Sequence, residues 1–305
     1  MVVDNAAAQR VKLEAEYLAE AVVNMNYQYI KVKPRTVAIG ADIVGVNLSE
    51  INDTVFAEIK HALHKHLVLF FHDQHLNEEE HLSFSARFGD MEVHEVFTPL
   101  DGHPEISVLE HDEKRPPISD SWHSDVTYRP EPSMASVLYA RTIPSNGGDT
   151  LWRSAYAAFD ALSEPMQKFL EGLHAEHDFL LAYGDYLRGQ EGGLEKIRQA
   201  QIKTPPVVHP LIVTHPITDK RLLYVNPTFT TRIVELRRAE SDALLRLLFE
   251  HLNEPEFHVR FKWEENDLVV WDNRATQHYA TGDYYPEYRR MHRITVGGDS
   301  PRGVH

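Results

Sequence analysis

From residue 105 to the C-terminus the apolar residues come in short runs, each cut off by Pro, Gly, Asn or Asp. The runs are "EISVLE", "SVLYAR", "DTLW", "LIVTHP", "LLYVN", "FHVRFKW", "DLVVW" and "RITVGG". Short segments rich in β-branched and aromatic residues, bounded by turn formers, read as strands. So many of them bury their faces only in a sandwich or a closed barrel, so the pattern implies a β-sandwich or jelly roll. Helices decorate it, at about 154–173, 185–201 and 238–253. Cysteine is absent from all 305 residues, which excludes disulfides, zinc–thiolate sites and a cysteine nucleophile together. A chain of this length buries enough surface to do without such staples.

The first hundred residues mix helix and strand. Val11, Leu13, Leu18, Ala21 and Val22 recur near the 3.6 period, predicting an amphipathic helix from about 4 to 24 that covers a core edge or a subunit contact. "YIKVKP", "ADIVGVNL" and "LVLFFHD" read as strands. "INDTVFAEIKHALHKH" reads as a helix capped by Asn52 or Asp53, and "NEEEHLSFSARFGD" as a second helix ending near Gly89. No repeat and no long linker divides the chain, so one domain is expected. The polar stretch from about 184 to 206 reads equally as a mobile lid or a plain surface excursion. No apolar run reaches the roughly 18 residues of a membrane span. The acidic N-terminus lacks the apolar core of a signal peptide. These features point to a cytoplasmic protein with no membrane partner. The net charge of −15 argues against nucleic acid as a partner, which calls for a basic footprint.

Within "WHSDVTY", His123 and Asp125 lie two apart, and a strand turns residues i and i+2 to the same side. They therefore suit two ligands of one metal. The pattern is common, recurring at His103/Glu105, His111/Glu113 and His174/Glu176 in a chain with 19 histidines. Spacing alone leaves a polar turn beside a strand as the commoner reading. A third ligand is needed, because two histidines and one carboxylate leave positions open for non-haem iron chemistry. His278, after the apolar run Leu268–Trp271, is the candidate.

The segment "RRMHRITV" bears on the choice. As a strand it puts Arg289, Met291 and Arg293 on one face, the two arginines roughly 13 Å apart. If that face is interior, each guanidinium needs an anion, because an unpaired buried charge is very costly. A planar guanidinium fits carboxylate or sulfonate oxygens well. A metal flanked by two small anionic molecules is the reading that accounts for both arginines. Two surface arginines paired with neighbouring acids is the alternative.

Five segments, "WHSDVTY", "SNGGDTLW", "YVNPTFTTRIV", "WDNRATQHYA" and "RRMHRITVGGDSP", follow one another as they do in a known family. On these segments the chain resembles the taurine dioxygenase-type Fe(II)/2-oxoglutarate-dependent oxygenases, a group that includes alkylsulfatase and aryloxyalkanoate dioxygenases. The resemblance runs from about residue 29 to the end. It implies a single double-stranded β-helix (jelly-roll) domain over 29–305, with 1–28 as a helical extension. It also implies that His123, Asp125 and His278 bind Fe(II), and that Thr150 and Arg289 hold the distal carboxylate of 2-oxoglutarate. Arg293 and His94 would then meet the anionic group of the primary substrate, within a pocket walled by Phe97, Val126, Tyr183 and Phe229. The implied reaction uses O2 and releases succinate and CO2 while hydroxylating the substrate. A carbon next to a sulfonate, as in taurine or a related alkanesulfonate, would yield an aldehyde and sulfite. A homodimer or homotetramer is the implied assembly.

The chain departs from the taurine-specific pattern in mid-pocket. Phe97 replaces a tyrosine, Ser119 an asparagine, and Ala182 and Tyr183 a serine and a phenylalanine. These changes keep alkyl sulfate esters and aryloxyalkanoates in view as alternative substrates. A jelly-roll metal-binding or sensory protein without turnover is the non-enzymatic alternative, and it is expected to have lost a ligand or the cosubstrate arginine.

Overall fold

The computed structural model describes residues 27–94, 97–117 and 121–304. The helix expected at 4–24 therefore lies outside the described residues, as does Ser119. The chain opens with β1 (Lys31–Pro34) and β2 (Ala41–Val44), followed by helix α1 (Asp53–His66), β3 (Val68–Phe71) and helix α2 (Glu78–Ala86). Next come β4 (Met91–Glu92), β5 (Thr98–Leu100), β6 (His103–His111), β7 (Ala135–Thr142) and β8 (Thr150–Ser154). A helical stretch, α3 (Ala155–Asp160) and α4 (Glu164–Leu170), leads to β9 (His174–His177). Helices α5 (Phe179–Arg188) and α6 (Gly193–Lys203) precede β10 (Val207–Pro210), β11 (Ile212–Thr214), β12 (Arg221–Leu223) and β13 (Thr230–Ile233). The last part holds α7 (Arg238–His251), β14 (His258–Phe261), β15 (Leu268–Asp272), β16 (Thr276–Ala280), β17 (Arg289–Val296) and β18 (Arg302–Gly303).

The main sheet runs in the order β1-β2-β3-β15-β7-β17-β6-β5, with β4 also on β17. Three smaller sheets, β14-β8-β16, β10-β9-β13 and β12-β11-β18, complete a mainly β jelly-roll architecture. Strict alternation of side chains explains how the main sheet is covered on both faces. Val68, Phe70, Leu138, Ala140, Val269 and Trp271 turn inward to meet Trp152, Val259 and Phe261 of the β14-β8-β16 sheet. Their neighbours Leu69, Phe71, Val137, Tyr139, Leu268 and Val270 turn outward against Ile59, Ala62 and Leu63 of α1 and Phe84 of α2. Strands buried on both faces read as continuous apolar runs, as "LVLFF" and "DLVVW" do.

The two early helices begin where their caps predict. Asn52 accepts from the Val55 amide at the start of α1, and Asn77 forms a reciprocal capping box with Glu80 at the start of α2. Two expectations need correction. The stretch 154–173 is two short helices, with Pro165 in the first turn of the second, and not one long helix. The helix expected at 185–201 is also two, divided at "GQEGG". Gly192 takes φ +69°, and a Cβ on Gly193 would lie 2.4 Å from the Arg188 carbonyl oxygen. The turn needs both glycines, one for its left-handed backbone and one for the close approach. The segment 184–206 is thus a helical hairpin. Among the described residues no helix is long and apolar enough to cross a membrane.

Candidate metal centre

His123 and His278 belong to different segments joined by a reciprocal bridge. The His123 amide donates to the His278 carbonyl at 3.1 Å, and the His278 amide returns a bond of 2.7 Å. Their rings lie with centroids 4.2 Å apart. Asp125 reaches the same point, its Oδ1 standing 3.7 Å from His123 Nε2 and 3.8 Å from His278 Nε2. One ligand atom from each of the three falls within 4.8 Å of the others, making a candidate metal group among the described residues.

The surroundings prepare these atoms. His123 Nδ1 lies 2.8 Å from the Ser121 carbonyl. A carbonyl only accepts, so Nδ1 carries the proton and Nε2 presents a lone pair. Burial pushes the His278 imidazole down to about 3, with His123 adding to the effect, and burial also lowers His123. Both rings are therefore neutral at neutral pH, the form that binds metal. Burial works against ionisation of Asp125. The Arg293 guanidinium, then the two histidines and the Ser136 hydroxyl, outweigh it and hold the carboxyl well below the usual carboxylate range. Ser136 Oγ donates to Asp125 Oδ2 at 2.9 Å.

Asn273, inside "WDNRATQHYA", fixes the Asp125 backbone. Its Oδ1 accepts from the Asp125 amide at 2.7 Å, and its Nδ2 donates to the Asp125 and Ser133 carbonyls at 3.0 and 2.9 Å. The next residue, Val126, takes φ +50°. A β-branched residue there is an outlier, and such strain persists only where the surroundings dictate it. Asn273 and Ser136 carried no role in the sequence reading. An Asn in a polar turn and a Ser on a strand give no signal before their partners are known.

The two arginines sit differently. All three of Arg289, Met291 and Arg293 are buried, and Met291 packs in the interior cluster, so the strand face of β17 is an inner one. Arg293 Nη1 donates to Asp125 Oδ1 at 3.1 Å. The anion expected opposite this arginine is thus partly supplied from inside the protein, by Asp125. Its Nε and Nη2 remain buried without a hydrogen-bond partner among the described residues. Its guanidinium carbon lies 4.7 Å from the Phe97 ring centroid, and His94 packs 4.5 Å from the same ring. Burial, then Arg293, push the His94 imidazole down to about 3.

Arg289 has no ion pair among the described residues, and its Nε is buried without a partner. Burial lowers its pKa, against the pull of Tyr284 and Asp149. A Cβ on Gly148, at φ +72°, would come within 3.2 Å of Arg289 Nε, so this glycine lets the loop before β8 close over the guanidinium. Two residues on, Thr150 is buried, its Oγ1 accepting from Trp263 Nε1 at 3.0 Å. Its own hydroxyl proton is left to donate elsewhere.

Val126, Tyr128 and Phe229 form an apolar cluster with Phe179 and Tyr183 packed on it. Phe229 lies 6.2 Å, ring to ring, from His123. Burial raises the Tyr183 phenol, opposed by Arg293, which brings this residue into the same field. His94, Phe97 and Arg293 thus form one chain of contacts ending at Asp125, and Tyr183, Val126 and Phe229 form another that reaches His123.

The donor set matches what non-haem Fe(II) takes, two neutral imidazoles and a carboxylate, and the orphaned buried edge of Arg289 matches a carboxylate-bearing cosubstrate. Comparison with known proteins agrees. The family model "Taurine catabolism dioxygenase TauD, TfdA family" matches residues 31–295. The alkylsulfatase of Acinetobacter baylyi is 36% identical over 282 residues, covering 91% of this chain and 88% of that protein. The alpha-ketoglutarate-dependent sulfate ester dioxygenase of Pseudomonas putida is 35% identical over 280 residues, covering 90% and 92%. A crystal structure of a taurine dioxygenase from Burkholderia xenovorans superposes with a TM-score of 0.78 at 38% identity, covering 90% of this chain and 92% of that one. This chain belongs to the TauD/TfdA family and is an Fe(II)- and 2-oxoglutarate-dependent dioxygenase.

Proposed function

We propose that the enzyme hydroxylates the carbon next to the sulfonate of an alkanesulfonate, with taurine or a related compound as substrate. His123, Asp125 and His278 would hold Fe(II), Thr150 and Arg289 the distal carboxylate of 2-oxoglutarate, and Arg293 with His94 the sulfonate. The single domain spans 29–305. When bound, the iron and its cosubstrates O2 and 2-oxoglutarate supply the oxidising power, with release of succinate and CO2. The residues do the rest. Arg293 uses its remaining donors to fix the anionic head, so that the adjacent carbon faces the triad, and positioning of this kind is a large share of catalysis. Val126, Phe229, Tyr183 and Phe97 exclude water from it. A carbon carrying both a hydroxyl and a sulfonate then expels sulfite and leaves an aldehyde. The observation that carries this reading is the buried, half-partnered Arg293 beside Asp125.

A second reading, an alkyl sulfate ester as substrate, is favoured by one feature. The wall formed by Val126, Tyr128, Phe179 and Phe229 is apolar, and it suits an alkyl tail better than an amine. The relatives from Acinetobacter and Pseudomonas point the same way. Sulfur release decides. With Fe(II), ascorbate, 2-oxoglutarate and O2, taurine and longer alkanesulfonates should yield sulfite in step with succinate. Sulfate from alkyl sulfates, without sulfite from any sulfonate, would transfer the activity to the ester. Succinate driven only by aryloxyacetates would overturn both.

The same reading takes the enzyme as a cytoplasmic homodimer or homotetramer. Leu181, Tyr186, Leu194 and Ile202 on α5 and α6 are exposed apolar side chains that such an assembly would cover. Light scattering on the purified protein should give the mass of two or four chains, and a mass near 35.1 kDa would exclude both.

A further inference from the structure

Arg153 lies on β8 with 1% of its surface exposed, among the largest fully buried side chains. Among the described residues no carboxylate pairs with it. Its partners are neutral. Nε and Nη2 donate to Gln277 Oε1 at 3.2 and 2.6 Å, and Nη1 donates to Asn253 Oδ1 at 2.6 Å. Its guanidinium carbon lies 4.5 Å from the Trp122 ring centroid. Burial pushes its pKa down to about 9, and the side chain is still a cation at neutral pH. A buried charge held only by dipoles and a π face is costly, and an apolar residue of similar size would spare that cost.

What the arginine touches explains its presence. Gln277 is its direct cross-strand partner on β16 and precedes His278. Trp122 precedes His123 and also packs on Tyr279, 5.6 Å ring to ring. Gln277 is anchored in turn, its Nε2 donating to the Val225 carbonyl at 2.6 Å. Residues next to each other on a strand point to opposite faces. Arg153 therefore grips the strand of His278 from behind, while its cation–π contact grips the residue ahead of His123.

We infer that Arg153 is a positioning residue of the metal centre, clamping Trp122 and Gln277 so that the two histidines present their Nε2 atoms to one point. The inference rests on the proposed ligand set. Groups that orient metal ligands commonly carry about 10–100-fold in metal affinity. A role in folding alone predicts something different: stability falls, because the buried Gln277 Oε1 and Asn253 Oδ1 lose their donors, while protein that is still folded keeps its Fe(II) affinity.

The test is Fe(II) affinity of the full chain under anaerobic chelator competition, with thermal unfolding of the metal-free protein alongside. Arg153→Met should bind Fe(II) at least about tenfold more weakly than wild type when measured well below its unfolding temperature, where the protein is folded. Arg153→Lys keeps the charge but lacks the fork, so it should weaken binding as well, and it serves if the methionine variant does not fold. Gln277→Leu should weaken binding comparably, with no further loss in the double variant. Wild-type affinity in either folded Arg153 variant would overturn the clamp, and so would independent, additive losses from Arg153→Met and Gln277→Leu. No Fe(II) binding by the wild-type protein would instead defeat the reading of the site itself, and the clamp with it.

Discussion

Asp125→Ala protein is expected to bind no Fe(II) and to form no succinate from 2-oxoglutarate with any substrate. Loss of groups that merely orient ligands costs about 10–100-fold, so loss of a ligand should cost more than about a hundredfold. The substitution has a second effect. Asp125 is the acid that faces Arg293, and removing one partner of a buried pair typically costs about 3–5 kcal/mol. The variant should therefore unfold at lower denaturant concentration as well. His278→Ala separates the two effects. It removes a ligand without stranding a charge, so it should lose iron while keeping most of its stability. Chelator competition, succinate formation and denaturant unfolding on both variants check this. Succinate formed by folded Asp125→Ala at near wild-type rate would end the assignment.

The second large effect falls on the arginines. Arg289→Leu should weaken 2-oxoglutarate binding by roughly 30-fold or more, since truncating one side of a buried charge pair costs about 2–5 kcal/mol. It should do so with Fe(II) affinity unchanged, because Arg289 touches none of the three ligands. Arg293→Leu should leave 2-oxoglutarate binding close to wild type and lose substrate-dependent turnover, uncoupling succinate from sulfur release. Calorimetric titration of 2-oxoglutarate into the metal-loaded protein, with a sulfite-to-succinate ratio for each variant, measures both. Equal damage to cosubstrate binding by the two substitutions would abolish the division of labour between them.

Much of the fold was legible because the main strands are apolar on both faces. "LVLFF", "SVLYAR" and "DLVVW" have to lie between two layers, and they do. Period two put Arg289, Met291 and Arg293 of "RRMHRITV" on one face but left open whether that face is interior, and the burial of all three is what answers it. The helix boundaries at 161–163 and 189–192 were not. A glycine pair looks like any polar surface turn until the 2.4 Å approach at Gly193 is visible. In the site, spacing suggested His123 and Asp125 as neighbours on a strand, whereas His123 sits in an isolated bridge and Asp125 in a turn. His278 was suggested by its place after the apolar run Leu268–Trp271, because no local pattern links two segments that meet only in the folded sheet. The Arg293–Asp125 bond was not legible, because 168 residues separate the two and only the folded sheet brings them together. Arg153 carried no signal at all, for an arginine beside a tryptophan on a strand is ordinarily read as facing solvent.

The reciprocal bridge between His123 and His278 also bears on the order in which the molecule assembles. Asp125 and the Asn273 that pins it stand 148 residues apart in the chain. Contacts of such long range form only after the entropy of closing the intervening loop has been met. The ligand set therefore has no nascent counterpart in the unfolded polypeptide and comes into being with closure of the barrel. A cation that binds only this closed form shifts the folding equilibrium by mass action. Iron availability would then govern how long the enzyme persists in the cell as well as whether it is active.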